Sequence, residues 1–302
     1  MSIALQVALV MVTILVVLLV IGAPIGVAIG MSSAVSMICM IPADVSFATS
    51  AQRIFAGSNS FSLIAIPFFI LAGNIMNNGG IATRLVNCAK VISGRMPGAL
   101  AQSNVVANML FGAISGSGAA AAAAMGGTIG PLEEKEGYDK NYSTAVNVAS
   151  APVGMLIPPS NTMIVYSSVA GSVSIAALFM AGYIPGLLWG GAVMILAGIM
   201  AKKRGYQAEQ RVPVKVALKT FWQAIPSLLL IVIVIGGILG GIFTATEGSA
   251  IAVVYATVLS LIYKAFKIKD IPRIVLEAAK TTGIITFMIG LSSIMSLSLI
   301  HI

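Results

Sequence analysis

Charged side chains are scarce in this sequence. Only 9% of the 302 residues are charged, whereas 58% are hydrophobic, and the mean hydropathy is +1.03. Soluble domains carry about 25% charged residues. Apolar runs of membrane-spanning length recur along the chain and indicate a polytopic helical membrane protein. The short alternating segments typical of a transmembrane β-barrel do not occur.

Metal-ligating side chains are equally scarce. The sequence has two cysteines, Cys39 and Cys88, and one histidine, His301. These residues exclude a disulfide framework and argue against a zinc or haem site. The net charge of +8 does not indicate nucleic acid, because membrane proteins retain Lys and Arg in their cytoplasmic loops.

The start of the chain lacks the basic residues of a cleaved signal peptide. A signal peptide carries them before its apolar core, but the first basic residue here is Arg53. Residues 3–21 are therefore predicted to be an uncleaved first span. The apolar segments are 3–21, 24–42, 61–83, 99–132, 143–171, 175–200, 221–243, 246–263 and 281 onward.

The basic residues predict which loops face the cytoplasm. The clusters at 202–204 and 264–269 should both be cytoplasmic, and the parity of the spans then places 133–141 there as well. Arg84, Lys90 and Arg95 put 84–98 on the same side. In this topology the N-terminus is periplasmic, and Arg53 alone of the 17 Lys and Arg residues lies outside the cytoplasm.

Segment 99–132 must then begin and end on one side of the membrane. Two full spans would each need about 20 apolar residues, and the halves on either side of "SGSG", residues 115–118, are shorter. The sequence predicts a re-entrant hairpin with "SGSG" at its tip. The linker 44–60 is predicted to lie along the outer interface, although a plain connecting loop fits nearly as well.

A second predicted break lies in segment 143–171, at "PPSNT", residues 158–162. Proline removes a backbone donor and disfavours the α conformation in the residue before it. Non-helical backbone at membrane depth survives only where it is buried in protein or lines a wet cavity, and transporters place such breaks at their ion and substrate sites. Neutral oxygens there would suit sodium. Simple helix packing by small residues is the alternative, and it is the favoured role for Ala119–Ala124.

Catalysis is not expected from these residues. Ser115 superficially resembles a nucleophile, but a nucleophilic serine needs a general base. The single histidine, His301, lies at the end of the chain, and no lysine lies in the apolar part of the hairpin. The ATP-binding pattern G-x-x-x-x-G-K-[ST] is also missing.

Four motifs give the chain a specific resemblance. They are "IPFFILAGNIMNNGGIATRLV" (66–86), "FGAISGSGAAAAAAMG" (111–126), "PVGMLIPPSNTMIVY" (152–166) and "GIFTATEGSAIAVVYA" (241–256). Together they resemble the large membrane subunit of tripartite ATP-independent periplasmic (TRAP) transporters, from near the start of the chain to about Ser296.

The resemblance implies an all-α polytopic fold of the elevator type in the bacterial inner membrane. It implies sodium-coupled uptake of a small organic anion, dicarboxylate or sialic-acid-like. A periplasmic solute-binding protein would deliver the anion, a small membrane subunit would complete the complex, and no cofactor is implied. The implied domains are 1–60 (first spans and linker), 61–171 (transport domain), 172–280 (scaffold spans) and 281–302 (start of a second repeat).

The resemblance also implies the site residues. The implied substrate-binding residues are Ser160 and Asn161. The implied sodium-binding residues, with no other metal expected, are Ser115, Gly116, Ser117, Gly118, Val153, Gly154, Pro158, Asn161 and Thr162.

The chain departs from the family in two ways. Unbroken alanines follow Gly118, where relatives commonly carry another serine and polar residues, which favours backbone carbonyls over side chains as ligands. Family members also continue into an inverted second repeat with its own hairpin, so a truncated chain that cannot transport alone is expected. A sodium-coupled carrier without a binding protein and a non-transporting membrane scaffold are the alternative functions.

Overall fold

The computed structural model describes residues 3–171, 173–206 and 213–301, and these residues are almost entirely helical. Short 3-10 turns occupy Phe61–Ile64 and Ile268–Asp270. The helices are α1 (Ile3–Val20), α2 (Ile25–Ile38), α3 (Ala43–Ser58), α4 (Ala65–Asn78), α5 (Ile81–Ser93), α6 (Ala99–Ser115), α7 (Gly118–Thr128), α8 (Gly130–Lys135), α9 (Lys140–Ser150), α10 (Val153–Leu156), α11 (Asn161–Ala170), α12 (Ile175–Lys203), α13 (Val214–Leu239), α14 (Ala245–Ile262) and α15 (Ile271–His301).

Several of the described helices are long and apolar enough to cross a membrane. Five meet this description outright, and a sixth span is possible if α9–α10 and α11 form one span bent by 51°. The five are Phe61–Asn78, Ile175–Lys203, Val214–Leu239, Ala245–Ile262 and Ile271–Ser298. The prediction of an all-helical, multi-pass membrane protein is therefore confirmed.

Several predicted segment boundaries were wrong, and two of them have a clear local cause. The predicted span 24–42 contains only the 14 residues of α2, because the chain turns after Ile38 and Pro42 precedes the next helix. The predicted span 61–83 ends at Asn78, because Gly80 adopts a left-handed conformation with φ of 71°. The linker 44–60 is helical as α3, and most of the predicted loop 84–98 belongs to α5.

The chain forms two compact units. One contains Met1–Leu63 and Lys280–Ile302. In this unit, the hydroxyls of Ser36 and Ser298 lie 2.9 Å apart, and the Ser293 hydroxyl donates to the Arg53 carbonyl at 2.6 Å. Helix α15 therefore packs against both α2 and α3.

The other unit contains Ile64–Ala279. Its core is an apolar cluster that includes Val86, Leu100, Val105, Phe111, Met125 and Ile129. Helices α13 and α14 join through a 2.8 Å hydrogen bond from the Tyr255 hydroxyl to the Pro226 carbonyl. The domain boundaries implied above stay predictions, and residues 1, 172 and 302, which bound three of those domains, lie outside the described residues.

Candidate functional site

The predicted hairpin tip is a break in the backbone between α6 and α7. Gly116 follows the last residue of α6 with φ of 61°, a left-handed conformation that glycine adopts without the strain of a side chain. Ser117 is the N-cap of α7, and its hydroxyl accepts a hydrogen bond from the Ala120 amide at 3.3 Å. The "SGSG" sequence thus ends one helix and begins the next.

Helix α7 folds back along α6. Asn147 on α9 donates its Nδ2 to the Ala122 carbonyl at 2.8 Å, and its Oδ1 accepts from Asn108 Nδ2 at 3.0 Å. Residues 108 and 122 would lie about 21 Å apart along one continuous helix. Because one side chain contacts both, the chain reverses at the tip, as the sequence predicts for 99–132. The position of this hairpin in a membrane stays a prediction.

The second predicted break is also present. The four-residue helix α10 ends at Leu156, and Ile157 is extended with φ of −90° and ψ of 123°, as expected for a residue before proline. The peptide bond between Pro158 and Pro159 is cis. Helix α11 then begins with Ser160 as its N-cap, whose hydroxyl accepts from the Met163 amide at 3.4 Å. The broken helix predicted at "PPSNT" is confirmed.

The two breaks meet. Asn161 Nδ2 donates to the Ser115 carbonyl at 3.2 Å. A Cβ added to Gly116 would lie 2.7 Å from the Asn161 amide nitrogen, and a Cβ added to Gly112 would lie 2.6 Å from the Gly154 Cα. Only glycine allows backbones to approach this closely. We call this contact between residues 115–118 and residues 153–161 the tip junction.

The tip junction offers oxygen atoms and carries no charged side chain. Ser115 and Asn161 are both buried, at 6% exposure each. The Ser115 carbonyl accepts from Asn161, and this bond fixes the orientation of the side-chain amide because a carbonyl can only accept. Asn161 Oδ1 is buried and has no hydrogen-bond partner among the described residues. Neutral carbonyl, hydroxyl and amide oxygens are suitable ligands for a small hard cation of single charge.

The remaining predicted site residues differ in their surroundings. Val153 is fully buried, and its carbonyl accepts from the Ile157 amide at 3.3 Å. Pro158 is buried within the break, whereas Thr162 is exposed on the first turn of α11. Ser160 is fully buried and donates its hydroxyl to the Met155 carbonyl, so that hydroxyl is part of the local backbone structure. The structure therefore brings Asn161 to the hairpin tip and leaves the Thr162 side chain exposed.

The sequence analysis missed a polar network behind the tip. Asn108 Nδ2 lies 2.8 Å from Asn104 Oδ1, 3.0 Å from Asn147 Oδ1 and 2.8 Å from the Ser150 hydroxyl. All four residues are buried, and the network connects α6 to α9. The spacing of Asn104 and Asn108 places both on one face of a helix, and buried polar residues in an apolar helix are the signal that could have revealed the network.

The loop after the hairpin is fixed to the end of α12. Asp139 caps α9 by accepting from the Tyr142 amide at 2.9 Å, and it forms an ion pair with Arg204 at 3.1 Å. The Tyr142 amide and the Arg204 guanidinium hold the pKa of Asp139 below its ordinary value. The rings of Tyr138 and Tyr206 stack with centroids 4.3 Å apart. These contacts hold the base of the hairpin against a long apolar helix.

These features define a class of protein. The chain is a multi-pass helical membrane protein in which a helical hairpin meets a broken helix, and secondary transporters build their sites from such discontinuous helices. Residues 12–302 match the family described as "Tripartite ATP-independent periplasmic transporter, DctM component". The chain belongs to this family, whose members are transporter components and not enzymes.

Relatives support the assignment. The chain is 50% identical over 265 residues to the uncharacterized protein YgiK of Salmonella typhimurium, covering 88% of this chain and 61% of that protein. It is 36% identical over 267 residues to the C4-dicarboxylate TRAP transporter large permease protein DctM of Rhodobacter capsulatus (84% and 61%). It is 38% identical over 245 residues to the sialic acid TRAP transporter large permease protein SiaM of Vibrio cholerae (80% and 56%). The chain thus spans about three fifths of the length of these relatives.

Proposed function

We propose that the intact permease takes up a small organic anion, driven by a sodium gradient, across the bacterial inner membrane. The observation that supports sodium coupling is the tip junction, where Asn161 reaches the Ser115 carbonyl and keeps a buried oxygen without a hydrogen-bond partner among the described residues. Two breaks in the helical backbone meet there without a charged residue, so neutral oxygens are the available ligands.

The proposed sodium ligands lie at the tip junction or directly beside it. The Ser115 carbonyl and Asn161 Oδ1 have the strongest geometric support. Gly116, Ser117 and Gly118 shape the hairpin side, and Val153, Gly154 and Pro158 shape the facing break. Thr162 stays in the proposed set through its backbone alone, because its side chain is exposed. Ser160 and Asn161 are proposed to form the polar edge of the substrate site.

The proposed substrate is a dicarboxylate or a sialic-acid-like anion. Two relatives named for C4-dicarboxylate and sialic acid support this chemical class. The family description, tripartite and periplasmic, supports two partners, a periplasmic solute-binding protein and a small membrane subunit. The proposed orientation places the N-terminus in the periplasm, and the proposed movement is an elevator motion of the hairpin-containing part.

Reconstitution of the intact permease with both partners in proteoliposomes tests the proposal. Uptake of a labelled dicarboxylate or sialic acid should require an inward sodium gradient and the binding protein. Uptake that persists after choline replaces sodium would contradict sodium coupling. Sodium-dependent uptake without the binding protein would support a carrier that acts alone, and no uptake under any condition would favour a membrane scaffold.

A further inference from the structure

A cavity lies at the end of the hairpin opposite the tip. Its volume is about 380 Å³, and Asn104 of α6, Gly126 of α7, Glu133 of α8 and Ser143 of α9 all line it. The exposed residues Glu134 and Lys140 also line the cavity, so it opens to solvent. We call it the base cavity. It does not include any residue of the tip junction.

Glu133 is the unusual residue of the base cavity. It is only 1% exposed, and neither carboxylate oxygen has a hydrogen-bond partner of ordinary geometry among the described residues. The ion pairs within the described part of the chain involve Asp139 and Glu277 instead. An ionised carboxylate in this position has lost water without gaining a counter-charge, which is costly unless a proton or a cation neutralises it.

Other polar atoms at the base cavity are also buried without a hydrogen-bond partner of ordinary geometry in the described structure. They are Asn104 Nδ2 and the Ser143 hydroxyl. Buried polar groups are normally satisfied by protein atoms, water or a ligand. A cavity of this size has room for an ion together with several ordered waters. One buried carboxylate balances a single positive charge, whereas divalent cations favour sites with more oxygen ligands and more carboxylates.

The pKa of the Glu133 carboxyl is suited to the exchange of a proton for a cation. Burial raises the pKa of this carboxyl to about 7, and the nearby Ser143 hydroxyl lowers it by less. The other titratable groups around it are Glu134 of α8, Lys140 and Tyr142 of α9, and Tyr138 between these helices. No charged residue of α6 or α7 lines the cavity. The carboxyl is therefore divided between its acid and its ionised form near neutral pH.

We propose that the base cavity is a binding site for one hard monovalent cation, with the Glu133 carboxylate as its charged ligand and water completing the coordination. Binding is an exchange in which the carboxyl O–H bond breaks, the proton leaves to solvent, and the cation takes its place. The total charge of the site does not change. This site is separate from the tip junction and does not depend on sodium coupling there.

Proton release from the purified, intact permease in weakly buffered solution tests this proposal. Near pH 7, addition of saturating NaCl or KCl should release about half a proton per chain, because about half of the Glu133 carboxyls are then protonated. At higher cation concentrations, the apparent pKa should fall by about one unit for each tenfold increase. Choline chloride at equal ionic strength should release no protons.

Three variants test whether the released proton comes from Glu133. Glu133→Gln should abolish the release, the exposed neighbour Glu134→Gln should keep it, and Glu133→Asp should retain exchange with a shifted apparent pKa. Absence of release from the wild-type protein with both salts would overturn the proposal, as would equal release with choline or undiminished release from Glu133→Gln.

Discussion

The side-chain amide of Asn161 donates a hydrogen bond to the backbone carbonyl of Ser115, 3.2 Å away. This bond joins the first residue of α11 to the last residue of α6. The oxygen of the same amide is buried and has no partner among the described residues. One side chain therefore holds the hairpin tip against the broken helix and presents an oxygen at the point where they meet.

Replacement of Asn161 by alanine should weaken sodium dependence. The variant loses Oδ1 as a ligand and leaves the Ser115 carbonyl without its donor, a change that costs about 1–3 kcal/mol for a buried group. The half-saturating sodium concentration for uptake by the reconstituted permease should rise at least about fivefold. Thr162→Ala is the matched control, because its side chain is exposed on the same turn. An equal effect in both variants would contradict the assigned role of Asn161.

Removal of the two tip hydroxyls tests whether sodium is bound by the serine side chains or by backbone carbonyls alone. Ser115→Ala with Ser117→Ala should weaken sodium dependence, because the Ser115 hydroxyl lies within the turn, 3.4 Å from the Ser117 amide, and Ser117 caps α7. The measurement is uptake against sodium concentration. An unchanged sodium affinity would mean that only backbone carbonyls bind the ion or that the site lies elsewhere.

The close approach of Gly112 and Gly154 predicts a large stability effect. A Cβ on Gly112 would lie 2.6 Å from the Gly154 Cα, and backbone atoms can move only if the helices separate. Gly112→Ala should destabilise the permease by about 1–3 kcal/mol, measured by thermal unfolding in detergent. Gly127 lies in the same hairpin, and an added Cβ would meet no atom within 4 Å. Gly127→Ala should therefore be neutral or slightly stabilising, and equal destabilisation by both changes would rule out the packing explanation.

Burial of Glu133 predicts that stability falls as the pH rises. Its pKa is raised from 4.5 to about 7 in the folded protein, so the folded state binds the proton more tightly than the unfolded state. The stabilisation is complete below about pH 4.5 and is lost as the pH rises through about 7. In choline chloride, the loss should approach about 3 kcal/mol. Thermal unfolding at a series of pH values should show this loss in wild type and Glu134→Gln but not in Glu133→Gln, and a persistent loss in the last variant would assign it to another group.

The helix breaks at "SGSG" and "PPSNT" could be predicted because the residues at each break cause it. The four consecutive serine and glycine residues of "SGSG" disfavour a helix at that point, and the consecutive prolines Pro158 and Pro159 remove backbone donors. The basic residues on both sides of 99–132 then required the chain to turn back. The end of α4 was missed because the predicted apolar segment 61–83 runs on through Gly79 and Gly80.

Contacts that depend on packing could not be predicted. The approach of Gly112 to Gly154 requires two helices to cross at glycine, and the sequence does not show which glycines meet. Glu133 belongs to the polar stretch "EEKEGYDKN", which resembles a solvated loop. Its burial depends on the packing of α8 against α6, α7 and α9, and its exposed neighbour Glu134 has the same local composition.

Direct sodium binding to the purified, intact permease tests the tip junction most directly. Equilibrium binding of radioactive sodium should be measured in a Glu133→Gln background, which removes the carboxylate of the base cavity. The tip junction predicts saturable sodium binding there, weakened at least about fivefold by the additional change Asn161→Ala and unchanged by Thr162→Ala. Sodium binding that is unaffected by Asn161→Ala would contradict a sodium site at the contact between Asn161 and Ser115.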